Sequence, residues 1–297
     1  MKLSVRHRTH YAYSAQASHS INHVCLLPRD TAEQTCLSSE LVVTPRPNHI
    51  EKRIDQFGNR VASFGLHRSH TEIDIVVDSL IETTDTRHAL PASQQVDTNS
   101  SALRSHFDAD SLMARDCLLT SPSIELDASV ASIIGELPLG QEPVLDYANR
   151  LMQHIYETFQ YESGFSTVIT PLSTVVEARK GVCQDFAHLA IAVLRKQGVP
   201  ARYVSGYLET VPPPGVEKLQ GADASHAWFA VYAANLGWFD FDPTNNKRPD
   251  SQYVTVGWGR DYSDVVPVKG VVYGGGANTL TVEVDVNRIQ HPKLVSE

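Results

Sequence analysis

The chain has 297 residues, 42% hydrophobic and 20% charged, with a formal net charge of −9. That length allows two ordinary globular domains and a core that needs no covalent staple. The acidic balance argues against nucleic acid or an anionic membrane surface as a main partner, and no stretch approaches the roughly 20 apolar residues that span a bilayer.

The chain opens on Met1-Lys2-Leu3-Ser4-Val5-Arg6-His7, which turns polar at once and has no apolar signal core. The first eighty residues read as β. Short β-branched or aromatic runs recur at His10–Tyr13, Ile21–Leu27, Ser39–Thr44, Ile50–Asp55, Val61–Leu66 and Ile73–Ile81. Turn chemistry such as Pro45-Arg46-Pro47-Asn48 and Gly58-Asn59 breaks them. A β-sandwich or barrel-like module over residues 1–95 is expected. It is followed by a polar, Thr/Ser/Asp/Gln-rich linker from Glu82 to about Ser101.

Residues 96–297 change character. Leu126–Leu137 and Glu142–Phe159 carry helical periodicity, the second with Pro143 in its opening turn. A short helix is expected over Leu172–Arg179, and another from Cys183 to Gln197, stopped by Gly198 and Pro200. Strands follow at Arg202–Leu208, His226–Tyr232, Trp238–Asp242, Val265–Tyr273 and Thr279–Val286. Helices first and an antiparallel sheet after make an α+β unit.

Four cysteines are few for this length: Cys25, Cys36, Cys117 and Cys183, with no Cys-x-x-Cys pair. A reducing cytoplasm is the expected compartment, with free thiols and no Cys25–Cys36 bridge. Cys183 stands apart because it opens a helix directly after Gly181-Val182. A thiol titrates near ~8.5 and reacts as the anion, which the amide N–H groups and positive dipole end of a helix start favour. Its own N–H could face a developing oxyanion. An ordinary buried cysteine is the plainer reading, and it fits Cys25, Cys36 and Cys117 better.

A base and an orienting carboxylate lie downstream. If Ala233-Ala234-Asn235 is a three-residue hairpin loop, Tyr232 pairs with Leu236, and His226 then lies directly opposite Asp242 with Cβ atoms about 5 Å apart. A slip of one residue would put them on opposite faces. Asp240 points the same way but lies diagonally across. Thiol, imidazole and carboxylate together form an activated nucleophile. His19 and His23, or His67 and His70, lack a third ligand, so neither a metal site nor a cofactor is expected. His188, on the Cys183 helix, reads as a packing residue.

Gly181-Val182-Cys183-Gln184-Asp185-Phe186-Ala187-His188-Leu189, with Gly198–Tyr207, His226-Ala227-Trp228 and Asp242-Pro243-Thr244-Asn245, resembles the bacterial transglutaminase-like family. Its members are often described as candidate cysteine proteases. His10-x-Tyr-x-Tyr, Leu27-Pro28-Arg29 and Phe57-Gly58-Asn59 resemble the family's N-terminal β-domain, and Gly259–Val265 with Gly270 and Gly274-Gly275 its C-terminal signature. The resemblance implies a papain-like α+β core with Cys183 as nucleophile, His226 as base and Asp242 as orienting residue. In relatives upstream aromatic or amide groups act as second oxyanion donors, and here Tyr161 or Gln184 would. Arg202 is expected to anchor structure through a buried ion pair, and Gly259–Val265 to wall the cleft. Gly164–Thr170 and Pro212–Ala224 are expected to border it.

The expected chemistry is attack on a carboxamide or peptide carbonyl through a thioester acyl-enzyme, on a peptide, protein or small amide. Hydrolysis is the first reading. An amine-accepting transamidase, or a non-catalytic scaffold that keeps the fold, are the alternatives. Oligomeric state has no signature in the sequence.

Overall fold

The computed structural model describes residues 1–84, 91, 103, 108–126, 130–210 and 225–289. The first sheet is organised around one 26-residue strand, β1 (Lys2–Leu27). His10–Tyr13 and Ile21–Leu27 are parts of it. Its opening stretch escaped notice because two inward positions of the alternation are polar: Leu3, Val5, His7 and Thr9 are all buried, with Ser4 and Arg6 exposed between them. β2 (Gln34–Thr44), β3 (Ile50–Ile54), β4 (Arg60–Leu66) and β5 (His70–Thr83) complete the order β2-β5-β1-β4-β3, with every pair antiparallel. β1 pairs with β5 along Lys2–Ala17 and with β4 along Ser20–Leu27. Irregular register between Ala12 and Ala17 marks where the sheet curls.

The second unit begins with α1 (Ala109–Asp116), α2 (Ala131–Glu136) and α3 (Val144–Thr158). Then come β6 (Gln160–Tyr161), α4 (Leu172–Ala178), β7 (Lys180–Gly181) and α5 (Cys183–Lys196). Next, β8 (Ala201–Leu208), β9 (Ser225–Ala233), β10 (Gly237–Phe241) and β11 (Tyr253–Gly259) form a four-stranded sheet ordered β10-β9-β8-β11. α5 is covered almost all round. Leu189, Ala190, Ile191, Val193 and Leu194 have no exposed surface, and they pack with Phe229, Val231 and Phe241 of the sheet. Each Leu, Ile or Val side chain among them contributes about 1.5–3 kcal/mol of burial. Helices over an antiparallel sheet give the expected α+β class. β11 was not foreseen, and its closeness to β8 requires Gly206, where a Cβ would sit 2.0 Å from the Val254 carbonyl.

Two expectations need correction. β12 (Val268–Gly274) and β13 (Asn278–Arg288), expected with the second unit, are hydrogen-bonded to β1 in the first. They run along it as one long partner broken at Gly274, Gly275 and Gly276, all at positive φ. The expected boundary at 95/96 lies outside the described residues, as does most of the linker from Glu82 to Ser101. The β9–β10 hairpin is also displaced by two residues: Trp238, not Leu236, pairs with Tyr232. The turn takes Asn235 and Gly237 at positive φ (64 and 94), which moves the loop one residue along. A shift of two preserves the face, so Asp242 stays on the side of His226.

The two sheets meet through Leu3, Val5 and Ile81 of the first and Tyr207, Val254 and Val256 of the second, closed by Val284 and Val286.

Candidate active site

Cys183 is positioned by a short parallel ladder. Gln160 pairs with Lys180 and Tyr161 with Gly181, so the end of α3 is tied to the residues just before α5. Val182 is extended (φ −113, ψ 178) and the helix begins at the next residue. Asp185, in the first turn, accepts the Val182 N–H at 2.8 Å and the Ser166 hydroxyl. A Cβ at Gly181 would lie 2.9 Å from Asp185 Cβ and Oδ2, so only glycine leaves room for this cap. Burial pushes the Asp185 carboxyl up, against those two hydrogen bonds. The Ser166 contact also ties the Gly164–Thr170 segment to the helix start. That segment presents Val168 and Ile169, 58% and 86% exposed, and Cys183 itself is half-buried.

His226 is the second residue of β9, with Nε2 2.7 Å from Asp242 Oδ2. This leaves Nδ1 as the ring nitrogen free for the thiol, with tautomers assigned from the hydrogen-bond network. Asp242 follows β10 and has no exposed surface. Its Oδ1 accepts the Thr244 and Asn245 amides at 2.9 and 3.3 Å, and its Oδ2 accepts Asn245 Nδ2 and the Tyr253 hydroxyl, each at 2.7 Å. A backbone bridge to Lys247 closes the loop beneath it. Burial opposes charge on both partners, and their contacts outweigh it. Hydrogen bonds to Asp242 and then Cys183 raise His226 to about 10, while His226, Asn245 and Tyr253 hold Asp242 below the ordinary carboxylate range. Trp228 and Tyr253 pack on the imidazole, with ring centroids 6.0 and 6.1 Å away.

Cys183, His226 and Asp242 are thus brought together. Asp240 is elsewhere, beside Arg202 and Trp228. Tyr161 is 53% exposed and edge-on to Phe186, and burial and the field of Cys183 raise its phenol. The Gln184 side chain is half-buried. Pro212–Ala224 lies outside the described residues.

Two residues and one segment behave differently from expectation. Arg202 makes no ion pair among the described residues; its guanidinium is stacked between Trp238 and Trp258, 4.2 and 3.7 Å from the ring centroids. His188 does more than pack, since its Nε2 accepts the Tyr262 N–H at 3.1 Å, and burial lowers its pKa to about 4, keeping it neutral. Gly259–Val265 braces α5 from behind. Asp261, fully buried, accepts Ser123 N at 2.6 Å and Ser263 N at 2.8 Å, and the Arg260 carbonyl accepts Arg195 Nη2 at 2.5 Å. Sequence reasoning missed Tyr253. Its only signal was an aromatic residue in a run whose strand went unrecognised. Among the described residues, no group of three His, Cys, Asp or Glu is placed to hold a metal, and no helix is long and apolar enough to cross a membrane.

Known proteins resemble this chain. The profile of the "Bacterial transglutaminase-like N-terminal region" matches residues 3–82, and that of the "Transglutaminase-like superfamily" matches residues 132–243. An uncharacterized protein of Mycobacterium tuberculosis H37Rv is 36% identical over 95% of this chain and 91% of its own length. One of Mycobacterium leprae is 32% identical over 97% and 99%. A protein-glutamine gamma-glutamyltransferase of Pseudomonas aeruginosa is 29% identical over 34% of this chain and 16% of its own. The crystal structure of a "putative cysteine protease" from Cytophaga hutchinsonii shares the fold, with a TM-score of 0.76 at 23% identity over 98% of this chain and 92% of that one.

Proposed function

Because this chain belongs to the transglutaminase-like superfamily, we propose that it is a thiol enzyme that cleaves amide bonds. In this reading Cys183 is the nucleophile, His226 the base and Asp242 the residue that orients the base. One observation carries it: a buried carboxylate holds Nε2 of an imidazole whose charge that carboxylate and the half-buried thiol at a helix start both favour.

The steps follow from that arrangement. The Cys183 thiolate attacks a carboxamide or peptide carbonyl, and negative charge develops on its oxygen. The Cys183 N–H at the helix start meets that charge, with Gln184 or Tyr161 as a second donor. The His226 imidazolium gives its proton to the leaving amine, and a thioester remains on Cys183. Neutral His226 then takes a proton from water, which attacks the thioester and releases a carboxylic acid. Asp242 stays ionised throughout and keeps the ring in one orientation. A peptide, protein or small amide is the substrate class. Val168 and Ile169, exposed beside the nucleophile, would meet an apolar group flanking the scissile bond.

Iodoacetamide provides the test. Cys183 should be alkylated at neutral pH much faster than the same thiol in the unfolded chain; equal rates would sink the reading, and would leave a scaffold that keeps the fold. Cys183→Ala should abolish turnover at unchanged melting temperature. Water as acceptor is tested by competition: transfer to an added primary amine faster than hydrolysis would make the protein a transamidase instead.

A further inference from the structure

The face of the four-stranded sheet turned away from α5 walls a second cavity of about 720 Å3. Ala201, Tyr203, Phe229 and Val231 pack toward the helix, whereas Val204, Trp228 and Ala230 alternate onto the other face. Arg202, Trp238, Asp240, Tyr253 and Trp258 line the cavity, and Glu33 reaches it from the residues before β2. Tyr253, which lines this space, also packs on His226 with ring centroids 6.1 Å apart, so the cavity lies behind the His226–Asp242 pair and Cys183 does not line it.

Two opposite charges meet at this wall, and neither has an ion-pair partner among the described residues. Arg202 is only 5% exposed; among the described residues its one side-chain hydrogen bond goes to Met113 Sδ at 3.5 Å, and its Nε has no partner. The indole N–H groups of Trp238 and Trp258, on either side of it, also lack acceptors among the described residues. Asp240 opens to the cavity yet is enclosed by protein, and burial pushes its carboxyl up. Arg202 and Arg248 act on Asp240 through their fields, and the Trp228 indole faces it short of hydrogen-bonding geometry. Enclosed charges and unpaired N–H donors are costly unless something binds them.

A simple anion would suit Arg202 and the indoles, but Glu33, Asp110 and Asp250 surround the same space and repel it. A simple cation would suit the carboxylates, but it would lie against a buried guanidinium. We propose that this cavity is a binding site for a small zwitterion, an α-amino acid or short peptide. Its carboxylate lies toward Arg202 and the two indole N–H groups, and its ammonium toward Asp240. The volume is within the usual range for small-molecule sites. This site is independent of the amide-cleaving reading above.

All three tryptophans of the chain, Trp228, Trp238 and Trp258, lie at or beside this cavity, so intrinsic fluorescence reports on it. The titrations use the Cys183→Ala protein, which excludes acyl chemistry, with L-glutamine and L-alanyl-L-glutamine as probes. At least one should give a saturable change in tryptophan emission. Two truncated probes require no further variant: glutaramate, which lacks the amine of glutamine, and 4-aminobutanamide, which lacks its carboxylate. Each should bind roughly tenfold or more weakly, the expected loss for one charge-assisted contact. In an Asp240→Asn protein with unchanged near-ultraviolet circular dichroism, glutamine should weaken to the level of glutaramate. The proposal is overturned if neither zwitterion saturates, or if either truncated probe binds as tightly as glutamine. It also fails if Asp240→Asn leaves glutamine binding unchanged.

Discussion

Asp242→Asn is the most informative single change, because it keeps the shape of the side chain and removes its charge. Raising His226 from 6.5 to about 10 corresponds to roughly 5 kcal/mol of preference for the imidazolium, at about 1.36 kcal/mol per pH unit. Asp242 and Cys183 supply that preference against burial, with the Asp242 contact first. Assigning Asp242 half or more makes its share roughly 2–3 kcal/mol. The variant should therefore move the His226 titration down by about two pH units and slow Cys183 alkylation at neutral pH by roughly 30- to 100-fold. The sign of the stability effect is fixed. His226 is raised on folding, so its contribution is complete below 6.5 and is lost as pH rises through about 10; in the variant that alkaline loss should flatten. Imidazole NMR on labelled histidine gives the titration, and iodoacetamide kinetics give the rate. A variant whose His226 still titrates near 10, or whose thiol reacts at the parental rate, would refute the assignment of Asp242 as the group that charges the ring.

Three further outcomes follow. Tyr253→Phe removes the 2.7 Å hydroxyl donor to Asp242. It should lower stability to urea by about 1.5–3 kcal/mol. Asp242 is depressed on folding, so its stabilisation is lost as pH falls below the ordinary carboxylate range, and in Tyr253→Phe that acid loss should be shallower; an unchanged dependence of stability on acid pH would contradict this. Gly181→Ala drives a Cβ into Asp185. It should cost about 1–3 kcal/mol and slow thiol alkylation, whereas parental values for both would show that the cap does not position the nucleophile. Deleting residues 268–297 removes both strands that cover one edge of β1. The shortened chain should be recovered insoluble, and a soluble, cooperatively melting product would show that the first sheet closes without them.

The nucleophile's position was legible because its signals are local: glycine, an extended residue and an apolar helix read directly from the run that begins at Gly181. His226 and Asp242 were legible by pattern, and their pairing survived a register error because a slip of two preserves the face. Gly237 was the missed clue, since a glycine after a short loop marks the left-handed position that ends it. Tyr253 was not legible, because its role depends on β11 lying beside β8, which no local run encodes. The cost of Arg202 was also misjudged. Sequence suggests that a buried arginine finds a carboxylate, whereas here two indole faces hold it. The polar inward residues His7 and Thr9 hid the length of β1 in the same way, since the Tyr207 hydroxyl, 3.0 Å from His7 Nδ1, can be known only when the second sheet is in place.

The pairing of β12 and β13 with β1 has a kinetic consequence. β1 is synthesised before β12 and β13, and residues 28–267 lie between it and these two partners. Loop-closure entropy grows slowly, by about 0.6 kcal/mol per doubling of length, so the finished protein loses little stability through this long-range pairing. Folding rate is more sensitive to such contacts. During synthesis one edge of the longest strand stays unpaired, with its amides and carbonyls available to other chains. Refolding yield should accordingly fall with protein concentration, while the native state, once β13 has docked, keeps that edge of β1 covered.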